Sequence, residues 1–500
     1  MIVHHPFRIG LLLFCLLATH LLPANTPYYD FTPLAKQAYH SSLSLRFDEA
    51  QLLLDQIKEQ APSNLVVYHV ENYIDFFKLY LCEDQETFKQ FKDVKNERMA
   101  HLQAGDADSP YYLFAQADMR LHWALIHLRF GEYLSAFTQV SKAHKLLKKN
   151  IERFPEFMPN YKDMGILHAM VGTIPDSYKW GIKLLSGLEG TIEQGRKEIE
   201  KVLAYAQTND FLFEKETLAL YAFLLLHLDN QEMRAWEVIR SGGLQPETNP
   251  LHCFVMANIA MRTGHNDQAI RILSRKPQSA QFFPFPYLDY MLGLAKLRRM
   301  EPDADQHFSA FLTHFKGRHF IKEAYQKLAW HELIHGNPQG YELYIKNCLF
   351  KGHDEAGGDK NALKEAKAGV LPEASLIKAR LLFDGGYFEK AKAVLEKQDA
   401  SSFCHQSSRL EYTYRLGRVL HGLKEYKAAL AFYQKTISSG RFEPYFFACN
   451  AALQSGIIYE KMGKLELAKS YYHTCLDLNP EEYRTGLHQK AQAGLARIGG

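Results

Sequence analysis

Apolar residues along most of this 500-residue chain recur at spacings of three and four, and segments that alternate apolar with polar residues are nearly absent. The first spacing places apolar side chains on one stripe of an α-helix, whereas strict alternation is typical of a β-strand. Proline and glycine separate the apolar segments, as they do at turns between short helices. The pattern therefore predicts an all-α protein of short helices joined by tight turns.

Residues 412–480 contain two copies of one pattern. Gly417 and Ala429 are 12 residues apart in the first copy, and Gly456 and Ala468 have the same separation in the second. A short turn lies between the two small residues of each copy, which predicts two antiparallel helices that approach closely at these residues. The remaining pattern positions are Leu420, Tyr426 and Tyr433 in the first copy, and Tyr459, Gly463, Tyr472 and Pro480 in the second.

This pattern resembles the tetratricopeptide repeat, whose period is about 34 residues. The small residue of the second helix serves as a marker for eleven repeats, most of them 35 to 39 residues apart. The markers are Ala50, Phe88, Ala136, Gly195, Arg234, Ala269, Ala304, Tyr341, Ala391, Ala429 and Ala468. Phe88 and Arg234 are not small, so we expect those two copies to be weak. The resemblance implies a right-handed superhelical solenoid of roughly eleven helix-turn-helix repeats.

Two intervals between markers are longer than the rest: 59 residues from Ala136 to Gly195, and 50 residues from Tyr341 to Ala391. The first predicts an insertion around residues 172–190, and the second a charged, glycine-rich inserted segment at 351–374. The predicted organisation is therefore N-terminal and central repeats over 25–350, the inserted segment, and C-terminal repeats over 375–500. Such insertions often carry binding. A tolerated surface insertion explains them equally well.

Residues 1–24 have the layout of a secretory signal peptide. Arg8 precedes an apolar run, residues 9–17, that is too short to span a bilayer, and a polar stretch follows Ala24. Leu22 is larger than the small residue usual at this distance from a cleavage site, so the site is uncertain by several residues. We expect an exported chain, in the bacterial periplasm or cell envelope, with no transmembrane span after cleavage.

The balance of charge argues against a nucleic-acid partner. The chain has 59 basic and 56 acidic residues mixed along its length, a net charge of +3, with no basic stripe. Aromatic residues make up 13% of the chain, which suits repeats that each need a ring in the core. The sequence leaves the oligomeric state open.

One string resembles a catalytic motif. His331, Glu332 and His335 form H-E-x-x-H, which on a helix holds zinc between two imidazoles with the glutamate as the base. A third ligand is missing, because Pro338 and Tyr341 stand where an extended zinc-peptidase pattern has glycine and histidine. The segment also fits the repeat pattern. We expect no enzyme, no cofactor and no metal, and keep an exported zinc metallopeptidase as the alternative hypothesis.

The resemblance also implies where a partner binds, because first helices of tetratricopeptide repeats line the concave surface. In the C-terminal repeats those positions are Arg380, Glu411, Tyr414, Arg418, His421, Asn450 and Glu460. Arginine, tyrosine and asparagine suit an extended peptide or an acidic segment, through charge-assisted hydrogen bonds. For each residue alone, a solvated surface is the competing interpretation. The sequence predicts a non-enzymatic protein–protein interaction scaffold. A carbohydrate- or envelope-binding helical protein is a further hypothesis.

Overall fold

The computed structural model describes residues 26–173 and 187–499, and these ranges form the all-α solenoid that the sequence predicts. They contain 24 α-helices and no β-strand. None of the described helices is both long enough and apolar enough to cross a membrane. The predicted signal peptide and most of the insertion around residues 172–190 lie outside the described residues.

Twenty-two of the helices form eleven helical hairpins, which stack one after another. The hairpins pair α1 (Pro33–Leu43) with α2 (Phe47–Gln60), α3 (Val66–Cys82) with α4 (Gln85–Gln103), α5 (Pro110–Arg129) with α6 (Tyr133–Arg153), α7 (Pro159–Gly172) with α8 (Ile192–Ala206), α9 (Glu214–His227) with α10 (Glu232–Ser241), α11 (Pro250–Arg262) with α12 (Asn266–Ser274), α13 (Tyr287–Arg298) with α14 (Ala304–His314), α15 (Ile321–Ile334) with α16 (Pro338–Phe350), α18 (Ala374–Asp384) with α19 (Phe388–Leu395), α20 (Gln406–Gly422) with α21 (Tyr426–Gly440), and α22 (Phe447–Lys461) with α23 (Leu465–Asp477). Two helices stand apart from the hairpins: α17 (Gly357–Ala368), inside the inserted segment, and α24 (Arg484–Arg497), after the last hairpin.

Each of the eleven markers lies in the second helix of a hairpin, and ten of them are buried. The exception is Arg234, whose side chain is 42% exposed and pairs with Glu200 at 2.7 Å. In that hairpin the fully buried small residue is Ala235, one position further along. Phe88 is buried as well, and its ring stacks on Phe130 with the ring centroids 4.1 Å apart. A ring therefore fills the space that a small residue leaves open in the other hairpins.

Glycines in the first helices of two C-terminal hairpins explain the close helix packing there. A Cβ atom built on Gly417 would lie 2.5 Å from a ring carbon of Tyr433, and one built on Gly456 would lie 2.6 Å from Tyr472. Both distances are shorter than a van der Waals contact, so a tyrosine of the second helix packs directly on the backbone of the first.

The N-terminal hairpins also contact a part of the chain that is distant in sequence. The carboxylate of Glu83, at the end of α3, accepts hydrogen bonds from the backbone N–H groups of Arg318 at 2.8 Å and His319 at 2.9 Å. It also pairs with Arg129 at 2.8 Å. We call these four residues the seam. Because the seam joins early hairpins to the loop before α15, the solenoid is not an open row of repeats.

The first helices of the first five hairpins enclose a buried cluster of charges. The Lys162 ammonium lies 3.1 Å from Asp118, 2.7 Å from Asp163 and 2.6 Å from Glu216, and Tyr39 donates a hydrogen bond to Glu216 at 2.8 Å. Burial alone would lower the pKa of Lys162, but the three carboxylates hold it well above its ordinary value. The concave face of these hairpins is thus filled by its own side chains.

Candidate binding groove

The C-terminal hairpins leave an open cavity of about 810 Å³ on their concave side. The first helices α18, α20 and α22 form one wall, and α15, α17 and the start of α24 form the other. We call this cavity the C-terminal groove. Six of the residues that line it are Lys327, Lys364, Arg380, Tyr414, Arg418 and Asn450.

The structure brings together five of the seven residues predicted to bind a partner. Those that line the C-terminal groove are Arg380, Glu411, Tyr414, Arg418 and Asn450. The other two, His421 and Glu460, belong to the last turns of α20 and α22 and do not line the cavity. Their predicted place in the groove is therefore corrected.

His421 and Glu460 instead connect helices beyond the end of the groove. Nδ1 of His421 is 3.3 Å from the hydroxyl of Tyr433 in α21, and burial lowers the pKa of His421 to about 4, with a contribution from the nearby Arg418. The Glu460 carboxylate accepts two hydrogen bonds of 3.0 Å from Arg497 in α24. Both side chains serve the packing of the last repeats.

Three of the groove residues form one hydrogen-bonded unit around a buried tyrosine. The hydroxyl oxygen of Tyr414 accepts hydrogen bonds from Nη1 of Arg418 at 3.0 Å and from Nδ2 of Asn450 at 2.7 Å. Since Tyr414 and Arg418 belong to α20 and Asn450 to α22, the unit ties two neighbouring repeats together. Because the Tyr414 oxygen already accepts two hydrogen bonds, its O–H group is left to donate a hydrogen bond to another acceptor.

Two arginines of the groove lie against aromatic rings. The Arg418 guanidinium is 4.8 Å from the ring centroid of Phe383, and that of Arg380 is 4.9 Å from Trp330. Arg380 is 3.9 Å from the Asp384 carboxylate, beyond hydrogen-bond distance. Within residues 26–173 and 187–499, no carboxylate lies within 4 Å of the Arg418 nitrogens. Both arginines keep N–H donors for an acidic ligand.

The opposite wall depends on a glutamate of the inserted helix. Glu365 of α17 accepts hydrogen bonds from Gln326 at 2.6 Å, from the Trp330 indole at 2.8 Å and from the Tyr341 hydroxyl at 2.9 Å. These three donors belong to α15 and α16, so Glu365 holds α17 against the eighth hairpin. The sequence predicts an inserted segment at 351–374, but its place against the eighth hairpin depends on contacts between distant parts of the chain.

An ion pair connects α17 to the loop before α24 within the second wall. Lys364 of α17 pairs with Glu482 in the loop before α24, and Lys364 is 60% exposed. The pair connects residues 118 positions apart in the chain. A ligand of the groove therefore passes beside this contact.

Comparison with known families and structures bears on the repeats. Residues 450–482 match the family model of the tetratricopeptide repeat. The segment holds most of the last hairpin, and ten further hairpins precede it in the same stack. The last hairpin is therefore a tetratricopeptide repeat, at the end of a solenoid of helical hairpins. The architecture of the chain is that of a protein-interaction scaffold.

Among solved structures, one similar chain occurs in the crystal structure of the APC/C hetero-tetramer Cut9–Hcn1. It is 13% identical to this chain, and the alignment covers 93% of this chain and 100% of that chain, with a TM-score of 0.20. No curated protein matches the chain in sequence.

The H-E-x-x-H string lies at the end of α15, and His335 is the residue that follows the helix. Nε2 of His331 is 3.0 Å from the carbonyl oxygen of Pro302, and Nδ1 of His335 donates to the carbonyl oxygen of His331 at 2.7 Å. Asp305 comes no closer than 3.9 Å to His331. Each histidine thus has one ring nitrogen engaged by a backbone carbonyl.

In the described part of the chain, three potential metal ligands come together at another place. Ligand atoms of Asp118, His122 and Glu216 lie within 4.8 Å of one another. The Lys162 ammonium contacts both carboxylates, at 3.1 Å and 2.6 Å. It occupies the position between them that a cation would need, so these residues do not fit a metal ion.

Proposed function

We propose that this tetratricopeptide-repeat protein is a non-enzymatic scaffold of the bacterial cell envelope. Its C-terminal groove binds an extended segment of a protein partner. The observation that carries the proposal is the unit of Tyr414, Arg418 and Asn450 on the concave wall, beside an open cavity of about 810 Å³.

The chemistry of the groove supports a peptide ligand. Extended peptides expose backbone N–H and C=O groups on both edges, and groove side chains with fixed donors and acceptors bind them. Tyr414 supplies a hydroxyl proton, and Arg380 and Arg418 supply donors that favour acidic side chains on the ligand. Since the concave face of the first five hairpins is filled by the Lys162 cluster, the C-terminal groove is the surface we assign to the partner.

The proposed compartment follows from the first 24 residues, whose layout is that of a signal peptide. An exported scaffold works without nucleotide or metal, and its activity is retention of a partner. Fractionation of the cells that make the protein tests this part directly, since the mature chain should be recovered with the envelope or the periplasm.

The groove is tested with the mature chain, residues 25–500, and a triple variant, R380Q/Y414F/R418Q. These substitutions remove donors from the groove while preserving most of the side-chain volume. A control variant, R441Q/Y426F/R271Q, changes the same residue types outside the groove. Each chain is used to capture partners from envelope extracts and to select binders from a displayed peptide library.

We expect the wild type and the control to retain the same partner and the same peptides, and the groove variant to lose both. Circular dichroism and the melting temperature show whether the variants are folded. Equal retention by a folded groove variant would contradict the assignment of the groove.

A further inference from the structure

The outer face of α6 carries a stripe of exposed lysines. Lys142, Lys145, Lys148 and Lys149 are all exposed. Across the described ranges, no carboxylate lies within 4 Å of their ammonium nitrogens. Some other exposed lysines are paired, for example Lys197 with Glu193 at 2.7 Å.

Neighbouring helices add to this positive charge. The pKa of Lys95 in α4 is lowered to about 8, first by burial and then by the cations Arg120 and Lys142. In α6, the pKa of His144 is also lowered, first by burial and then by the positive charges of His168 and Lys148. Cations of α4, α5 and α6 therefore lie close enough to raise the local positive potential, although the charges of the whole chain nearly balance.

The beginning of the same helix exposes large apolar side chains. Tyr133 is 66% exposed, Leu134 is 85% exposed and Phe137 is 37% exposed. At 100° per residue, Leu134 and Phe137 fall with the four lysines in an arc of about 140° on α6. From Leu134 to Lys149 the face is about 22 Å long. One outward face thus joins an apolar end to a row of ammonium groups.

We propose that this face of α6, named here the α6 face, docks the protein on an anionic phospholipid surface. Leu134 and Phe137 enter the boundary between headgroups and acyl chains, and the lysines contact lipid phosphates. Nucleic acid would use the lysines but not the exposed leucine and phenylalanine. The helix lies along the surface and does not cross the bilayer, in agreement with the absence of a spanning helix among the described residues.

The proposal is independent of the C-terminal groove, which belongs to other helices. Docking through α6 holds the scaffold at a membrane while the groove binds its partner. Loss of lipid binding leaves peptide binding unchanged, and the reverse also holds.

The test uses the mature chain, residues 25–500, and flotation with vesicles of phosphatidylcholine alone or with about one third phosphatidylglycerol. We expect binding only to the anionic vesicles, weakened by added salt. A lysine near an anionic surface changes affinity about fivefold, so K145Q/K148Q/K149Q should bind on the order of 100-fold more weakly. The variant L134S/F137S should also lose binding, without a change in net charge.

Matched controls remove the same groups elsewhere. K427Q/K435Q/K464Q removes three exposed lysines of the C-terminal hairpins, and F442S/L465S removes two exposed apolar side chains. Both controls should bind like the wild type. Equal binding by the α6 variants and the controls would overturn the proposal, as would absence of binding to anionic vesicles at low salt. Binding that survives L134S/F137S and is matched by DNA of similar charge would identify a general polyanion surface, which also overturns it.

Discussion

At the scale of single residues, the repeats depend on contacts that leave no room for one more carbon atom. Gly417 and Gly456 meet the rings of Tyr433 and Tyr472 at distances that a methyl group would close. The tyrosines are fully buried, so they cannot turn away into solvent. The requirement for glycine at these positions comes from packing.

We therefore predict that G417A and G456A each destabilise the C-terminal repeats by about 1–3 kcal/mol through overpacking. Urea unfolding followed by tyrosine fluorescence measures the change. The control is G486A in α24, where nothing lies within 4 Å of the added carbon. It should stay within about 1 kcal/mol of the wild type, on the stabilising side. Equal losses at all three positions would refute the packing argument.

His421 gives the same repeats a dependence on pH. Its pKa is about 4 in the folded chain, against an ordinary value of about 6.5, because burial disfavours the imidazolium. The unfolded chain therefore takes up the proton first as the pH falls. Stability from this group is complete above about pH 6.5 and is lost between that value and about pH 4.

We expect the free energy of unfolding of the wild type to fall by up to about 3 kcal/mol over that range through His421 alone. The variant H421Q should lack this part of the pH dependence, while other titrating groups affect both chains alike. Denaturant unfolding at a series of pH values gives the difference. Parallel curves for the two proteins would show that His421 titrates normally.

At the scale of elements, the inserted helix α17 completes a groove that the repeats alone leave open on one side. Glu365 attaches the helix by accepting hydrogen bonds from three donors of α15 and α16. Asp359 adds to the attachment, because it accepts hydrogen bonds from the backbone N–H groups of Phe320 at 2.7 Å and Glu323 at 3.0 Å.

We predict that E365A releases α17 without unfolding the hairpins. Loss of these hydrogen bonds should lower the local opening free energy by about 2 kcal/mol, which speeds amide exchange in residues 357–368 roughly 30-fold. Hydrogen–deuterium exchange with mass spectrometry measures it, with K360A as a control on the same helix. Unchanged exchange in E365A would show that apolar packing alone holds α17.

The sequence predicts the elements well, because each hairpin carries its own signal. Ala50, Ala429 and Ala468 mark second helices through a spacing that only neighbouring residues determine. The α6 face shows where this reasoning ends. Lys142, Lys145, Lys148 and Lys149 look like ordinary mixed charge in the sequence, and they become a stripe only when the helix places them on one side, with no described carboxylate within 4 Å of their ammonium nitrogens.

The groove was predictable only in part for a similar reason. The first-helix positions gave Arg380, Tyr414 and Arg418, which belong to one wall. The opposite wall comes from α15, α17 and α24, and its place depends on how distant segments meet. His421 and Glu460 follow the same periodicity as the wall residues, yet they lie one turn too far along their helices.

At the scale of the whole molecule, the seam turns a row of repeats into a closed arrangement. In an open solenoid, stability is a sum over repeats and nearest-neighbour interfaces. Glu83 adds a stabilising contact between the second hairpin and the loop before the eighth hairpin. Its carboxylate is buried, and its partners Arg129 and His319 are largely buried as well.

We predict that E83A costs about 3–5 kcal/mol, because it leaves Arg129 buried without its counter-charge. Amide hydrogen exchange should become faster in both segments that form the seam, around residues 80–84 and 316–320. The control E86A removes an exposed glutamate of α4 and should cost no more than about 0.5 kcal/mol. A small effect of E83A confined to residues 80–84 would mean that the seam adds nothing to the stability of the eighth hairpin.

The seam also affects the order in which the protein is made. The residues Glu83 and His319 are 236 positions apart, and at about 5–20 residues per second a ribosome needs tens of seconds to add the second after the first. During that time, the early hairpins have left the ribosome while their partner does not yet exist. The Glu83 carboxylate is without its distant partners for this whole interval, so the seam closes only after residues 318 and 319 have been made.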